Sequence, residues 1–139
     1  MTQTISATAV NLRAFRPVYN KSMNSIANII GPTYRKLLSI CEQQKIALNL
    51  DLTNPSLKIR QEDKLKAFLK DTLTLAIKNC KRDNKITIAQ SITDENKVRF
   101  SIKYDGNILE PDQKAALLEK EYEVRSRFGY GNTISIDIR

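Results

Sequence analysis

Between Glu62 and Cys80 the residues Leu65, Phe68, Leu69, Leu73, Ala76, Ile77 and Cys80 recur at three- and four-residue steps, and no other feature of the 139-residue chain restricts its fold so tightly. Such a stripe fits an amphipathic helix of about five turns that lays one face on a core. Glu62 or Asp63 can cap its start, where a carboxylate favours the positive helix end. Directly afterwards the period changes from 3.6 to two. In KITIAQSI, Ile86 and Ile88 alternate with polar residues, and in KVRFSIKY so do Val98, Phe100 and Ile102. The two runs read as an antiparallel hairpin closed by the Asp94–Asn96 turn. A one-faced helix and a one-faced hairpin cover each other.

The flanking segments extend this pattern on both sides. From about Lys21, Ile26, Ile29, Ile30, Leu37, Leu38 and Cys41 follow helical spacing, interrupted by Gly31-Pro32. Proline removes an amide donor and disfavours helix in the residue before it, so two helical pieces or one kinked helix both fit. IALNLDL alternates Ile46, Leu48, Leu50 and Leu52 as a half-buried strand; Asn54-Pro55 turns the chain, and Leu57 with Ile59 gives a short strand. Pro111 suits a first helical residue, leading to Ala115, Leu118 and Tyr122 on one face, and NTISIDIR ends the chain as a strand. The first 20 residues have weak periodicity, which divides the chain into a lead-in and helical segment, 1–33, and a folded domain, 34–139. The order helix, strand, strand, helix, hairpin, helix, strand predicts an α+β two-layer sandwich. Its mixed, mostly antiparallel sheet has about five strands, with helices on one face.

Composition removes several chemistries. The chain has no histidine, which excludes a histidine phosphorelay or histidine-based acid–base work by this chain alone. Cys41 and Cys80, both on apolar stripes, read as reduced core thiols of a cytoplasmic protein, and no cluster has metal-ligand spacing. Neither a Gly-x-x-x-x-Gly-Lys loop nor a serine nucleophile elbow is present. No apolar run approaches the ~20 residues that cross a bilayer, and MTQTISATAV lacks the features of a secretory signal. The acids Asp94, Glu95, Glu119, Glu121 and Glu123 fall on turns and a polar helix side, the pattern of a solvated face.

The net charge of +8 is unevenly spread. In the first 50 residues Glu42 stands alone against Arg13, Arg16, Lys21, Arg35, Lys36 and Lys45, and Lys78, Lys81, Arg82 and Lys85 form a second basic cluster. Such an excess suits nucleic acid, an anionic membrane or an acidic protein, or is simply a solvated surface; Lys78 and Arg82 also sit favourably at a helix C-terminus.

Several strings in this order resemble the ATP-binding domain of sensor histidine kinases, a branch of the GHKL ATPases. The likeness runs from about Tyr34 to Arg139. EQQKIALNLDL and NPSLKIR resemble the strand, proline turn and short strand that open the domain. KLKAFLKDTLTLAIK, with Leu65, Leu69, Leu73, Ala76, Ile77 and Lys78, is similar to the family's long asparagine-bearing helix. KITIAQSITDENKVRFSIKYDGNIL resembles the family's hairpin and adenine loop, and VRSRFGYGNTISIDI its C-terminal string, with Val124, Ser126, Gly129, Gly131, Thr133 and Ile134 in matching places.

The resemblance implies the family's fold and also shows what is altered. The helix asparagines that hold magnesium and phosphates are matched by Asp71 and Leu75; an aspartate can ligate a hard cation, but leucine offers no lone pair. The aspartate that recognises adenine is matched by Tyr104, with Asp105 one residue away. The first loop glycine is Gly106, and the second is Ile108. Only Leu109 and Glu110 precede the next helix, too few for the family's lid and glycine-rich phosphate turn. Another alignment takes LLEKEY as the aromatic box and GYGNTI as the glycine-rich turn, but it leaves the sheet without its last strands.

The implied protein is a pseudokinase-like regulator with no catalytic residues. It would retain a vestigial nucleotide site at Asp71, Leu75, Lys78, Tyr104, Asp105 and Gly106 beside the basic patch of Lys78, Lys81, Arg82 and Lys85. Expected partners are a sensor kinase, a receiver domain or another signalling protein, or a second copy. Two other readings stand beside it: a reduced Mg-ATP or ADP binder completed by a partner, and a basic nucleic-acid-binding regulator.

Overall fold

Alternation along the strands decides which side of the sheet the helices cover. The computed structural model describes residues 24–93, 97–127 and 131–138. Its elements are β1 (Asn24–Ser25), α1 (Ile26–Gln43), β2 (Ala47–Leu52), β3 (Lys58–Ile59), α2 (Glu62–Asn79), β4 (Lys85–Ile92), β5 (Val98–Tyr104), α3 (Pro111–Glu119), β6 (Glu123–Arg127) and β7 (Gly131–Ile138). The main sheet has the order β2-β4-β5-β7-β6, with β2 parallel to β4 and every other pair antiparallel. Ile86, Ile88, Phe100, Ile102, Ile134 and Ile136 point to the helices and are buried. α1 packs on β2, and α2 on β5 and β7, with Leu65, Phe68, Leu69, Leu73 and Ala76 fully or almost fully buried. The α+β two-layer fold is the one the periodicity predicts. No helix among the described residues is long and apolar enough to cross a membrane.

The structure decides one open alternative, at Gly31-Pro32, and corrects several local expectations. α1 is one helix through Gly31-Pro32, because Ile26, Ile29, Ile30 and Tyr34 on both sides of the proline are held in the same core. Tertiary packing outweighs the local cost of proline here. Residues 24–33 pack with the rest of the fold. Ser25 Oγ accepts from Asn28 N–H, and Ile26 and Ala27 donate their N–H groups to Leu57 and Pro55 carbonyls at 2.8 and 2.9 Å, so amides left open at the helix start find acceptors.

The short strand β3 does not join the main sheet but pairs with β1, while β6, which lacks a clear apolar alternation, is the fifth strand. Glu62 and Asp63 lie inside the first turn of α2, and the capping position is Gln61, which makes no side-chain cap. In α3 the buried residue is Leu117; Ala115 is exposed and Leu118 is 50% exposed. That helix buries a single side chain, so its periodicity points wrongly. Cys80 lies at the C-terminal boundary of α2, half-buried, and both cysteines are free thiols. Arg13, Arg16, Lys21, Asp94, Glu95 and Gly129 lie outside the described residues.

Candidate functional site

Asp71, Leu75 and Lys78 follow one another at four- and three-residue steps, so α2 presents them on one side. They face α3 across a groove of about 340 Å³, whose other wall is Gln113, Ala116, Leu117 and Lys120. Leu75, Ala116 and Leu117 give the groove its apolar lining, beside the charged Asp71, Lys78 and Lys120. One carboxylate oxygen of Asp71 takes both available donors: Lys120 Nζ lies at 2.8 Å and the Tyr122 hydroxyl donates at 3.0 Å. The Tyr122 ring meets Phe68 edge to face, with centroids 5.1 Å apart and planes at 89°. Burial, then the hydrogen bond to Asp71, pushes the Tyr122 phenol up to about 12.

The chain after β5 runs against the end of α2. Lys81 N–H donates to the Asp105 carbonyl at 3.0 Å, and Asn107 N–H to the Asn79 carbonyl at 3.3 Å. A Cβ on Gly106 would stand 2.1 Å from the Asn79 carbonyl oxygen, so no larger residue fits this crossing. Tyr104 is buried at the last position of β5, and burial pushes its phenol up to about 12. Its hydroxyl and the Asn79 side-chain amide face each other, but neither completes a well-formed hydrogen bond. Ser126 and Asn132 hold the link to α3: Ser126 Oγ accepts from Leu109 N–H at 3.1 Å and donates to Asn132 Oδ1, while Asn132 Nδ2 donates to the Asn107 carbonyl at 3.0 Å.

The sequence-derived candidates are therefore divided. Asp71, Leu75 and Lys78 share the groove. Gly106 braces the loop against α2. Asp105 leans toward Gly131 and lines a different hollow with Lys85 and Lys103. The basic patch divides in the same way: all four cations are exposed, but Lys78 belongs to the groove and Lys85 to the far side of the sheet. Among the described residues no group of three or more histidine, cysteine, aspartate or glutamate side chains is placed to hold a metal ion. Lys120 and Tyr122 were not foreseen as partners of Asp71, since they lie 49 and 51 residues away and no local spacing signals such a contact.

Solved structures share the fold of this chain. The nucleotide-free catalytic domain of the histidine kinase ThkA superposes with a TM-score of 0.68 at 14% identity, covering 89% of this chain and 95% of that one. The cytoplasmic segment of the histidine kinase QseC gives 0.65 at 13%, covering 96% and 93%. The Acinetobacter baumannii histidine kinase AdeS gives 0.64 at 14%, covering 96% and 74%. This chain has the histidine-kinase ATPase fold. At these identities the likeness is one of fold. No protein-family model matches the sequence, and no curated protein is similar to it by sequence. Within the histidine-kinase ATPase fold, the link 105–110 joins the end of β5 to the start of α3 with no helix of its own.

Proposed function

We propose that this chain is a non-catalytic regulatory module on the histidine-kinase ATPase scaffold, acting through protein contacts in two-component-type signalling. The observation that carries the reading is the closed triad of Asp71, Lys120 and Tyr122. The resemblance puts the magnesium- and phosphate-holding positions at Asp71 and Leu75. A cation approaching Asp71 meets the Lys120 ammonium already held on one carboxylate oxygen, and Leu75 supplies no lone pair. Tyr104 puts a neutral phenol where the resemblance expects a carboxylate for adenine. The short link 105–110 supports the same conclusion, since catalysis of phosphoryl transfer rests on positioning and charge stabilisation under a closed lid. These residues do not fit a magnesium nucleotide.

What remains is a stable scaffold with exposed basic residues, Lys78, Lys81 and Arg82, that suits an acidic partner such as a receiver domain or a sensor kinase. Thermal melting with and without Mg-ATP or Mg-ADP tests the loss of nucleotide binding. The melting temperature is expected to stay unchanged at millimolar nucleotide, and a clear rise refutes the reading, because any ligand of the folded state alone stabilises it. Size-exclusion chromatography after co-expression with the sensor kinases and receivers of the same genome tests the rest. Co-elution with one of them is expected; separate elution from all of them counts against signalling through protein contacts.

A further inference from the structure

The face of the sheet that the helices leave open is built almost without apolar side chains. Thr87, Ala89 and Ser91 of β4, Ser101 and Lys103 of β5, and Thr133 and Ser135 of β7 lie on it. Its charges are sorted by end. At one end Arg99 is bound to Asp137 through two hydrogen bonds of 2.8 and 3.1 Å and lies 3.3 Å from Glu123. At the other end stand Lys85, Lys103, Arg125 and Arg127, all exposed. Lys85, Lys103 and Arg127 make no ion pair among the described residues, and Arg125 has only a 3.3 Å contact with Glu123 while 78% exposed. One carboxylate, Asp105, lies among them, and a second, Asp51 of β2, lies opposite Ala89 on the same face.

Strand register turns this end into an ordered array. Thr87, Lys103, Thr133 and Arg125 are cross-strand neighbours on four adjacent strands, and Arg127 opposite Gly131 begins the next rung. With strands about 4.8 Å apart, the rung spans roughly 14 Å. Two shallow hollows, of about 350 and 620 Å³, adjoin over Gly131 and Thr133. Cations alternating with hydroxyl donors along a shallow trough suit repeated phosphates. A protein partner would need an apolar centre to the contact, and this face has none. A duplex is read by an element inserted into its groove, whereas these residues lie flat in the sheet. We infer that the basic end of the open sheet face binds the phosphodiester backbone of a single-stranded nucleic acid, without reading its bases. This goes beyond the proposed regulatory role and uses none of the groove residues.

Fluorescence anisotropy with labelled oligo-uridine RNA and oligo-thymidine DNA tests it. Four contacts give a slope of log affinity against log salt of about −3, a loss of about 50-fold between about 50 and about 200 mM salt. The double variant Lys103→Glu with Arg125→Glu is expected to weaken binding at least about 10-fold. Lys36→Glu with Lys70→Glu, exposed on α1 and α2, makes the same change in net charge and is expected to leave affinity within about 2-fold. Amide shifts of the unaltered protein, which need no variant, are expected to centre on Thr87, Lys103 and Thr133. Binding to either polymer with this salt slope and this variant pattern supports the inference. Three results overturn it: no binding at low salt, equal losses in both double variants, or full competition by polyglutamate, which would make the face a site for acidic protein.

Discussion

The groove between α2 and α3 and the basic end of the open sheet face carry similar charged groups in opposite states. In the groove, one carboxylate oxygen of Asp71 already holds both Lys120 and Tyr122, so its charge is countered inside the molecule. On the open face, Lys85, Lys103 and Arg127 have no internal partner among the described residues. Internally satisfied groups fix a structure, whereas clustered like charges without partners cost repulsion that an external anion relieves. The contrast sets an internally paired carboxylate on the helix side of the sheet against exposed cations on its opposite side.

The severest way to break the groove side is Phe68→Ala. It empties a fully buried site and removes the ring against which Tyr122 packs, so a loss of about 3–5 kcal/mol is expected in urea unfolding. A loss under about 1 kcal/mol would mean that α2 and Tyr122 are not packed as described.

Alkaline pH is a gentler probe of the same region. The Tyr104 and Tyr122 phenols are held at about 12 in the folded protein, against about 10 when unfolded. A folded value above the unfolded one favours the protonated native state. Stability is therefore expected to be complete below pH 10 and to fall as pH rises through 12. Tyr122→Phe should make that fall shallower, and equal slopes in both proteins would contradict the buried hydroxyl.

Asp71→Ala comes next, with an expected cost of about 1 kcal/mol from the orphaned Tyr122 hydroxyl and the lost ion pair. Asp71→Asn retains an acceptor for Tyr122 and should cost less; denaturant midpoints of the two variants decide it.

The smallest effect belongs to the paired end of the open face. Asp137→Asn is expected to cost about 0.2–1 kcal/mol, since the pair with Arg99 is partly exposed. The Arg99 guanidinium holds the Asp137 carboxyl below its ordinary value. Its contribution is thus present above the usual carboxylate range and lost as pH falls through the lowered value, which acid titration of the unfolding free energy measures.

Much of the fold was legible in residue order. The α2 stripe and the β4–β5 alternation were strong enough to define two layers, and α1 and β2 followed from the same periods. Legibility failed where packing was thin or distant. α3 buries Leu117 alone, so its sequence carries almost no face preference. β6 is an edge strand of charged and polar residues that takes its place by pairing with β7. Of the candidate site, Asp71, Leu75 and Lys78 were legible as one helix side. Their opposite wall was not, because Lys120 and Tyr122 come from beyond three intervening strands and helices.

By itself the sequence determined the two periods, their order, the absence of imidazole chemistry and the excess of positive charge. Those are properties of neighbours along the chain, which fix local backbone and the faces it must bury. Only the tertiary structure decided that Asp71 is paired from the segment after α3, that Gly106 is required by a carbonyl across the loop, and that Lys85, Lys103 and Arg127 share one uncovered face. Such pairings depend on loop closure and strand register across dozens of residues, and a linear pattern carries no record of which distant charge will arrive beside which.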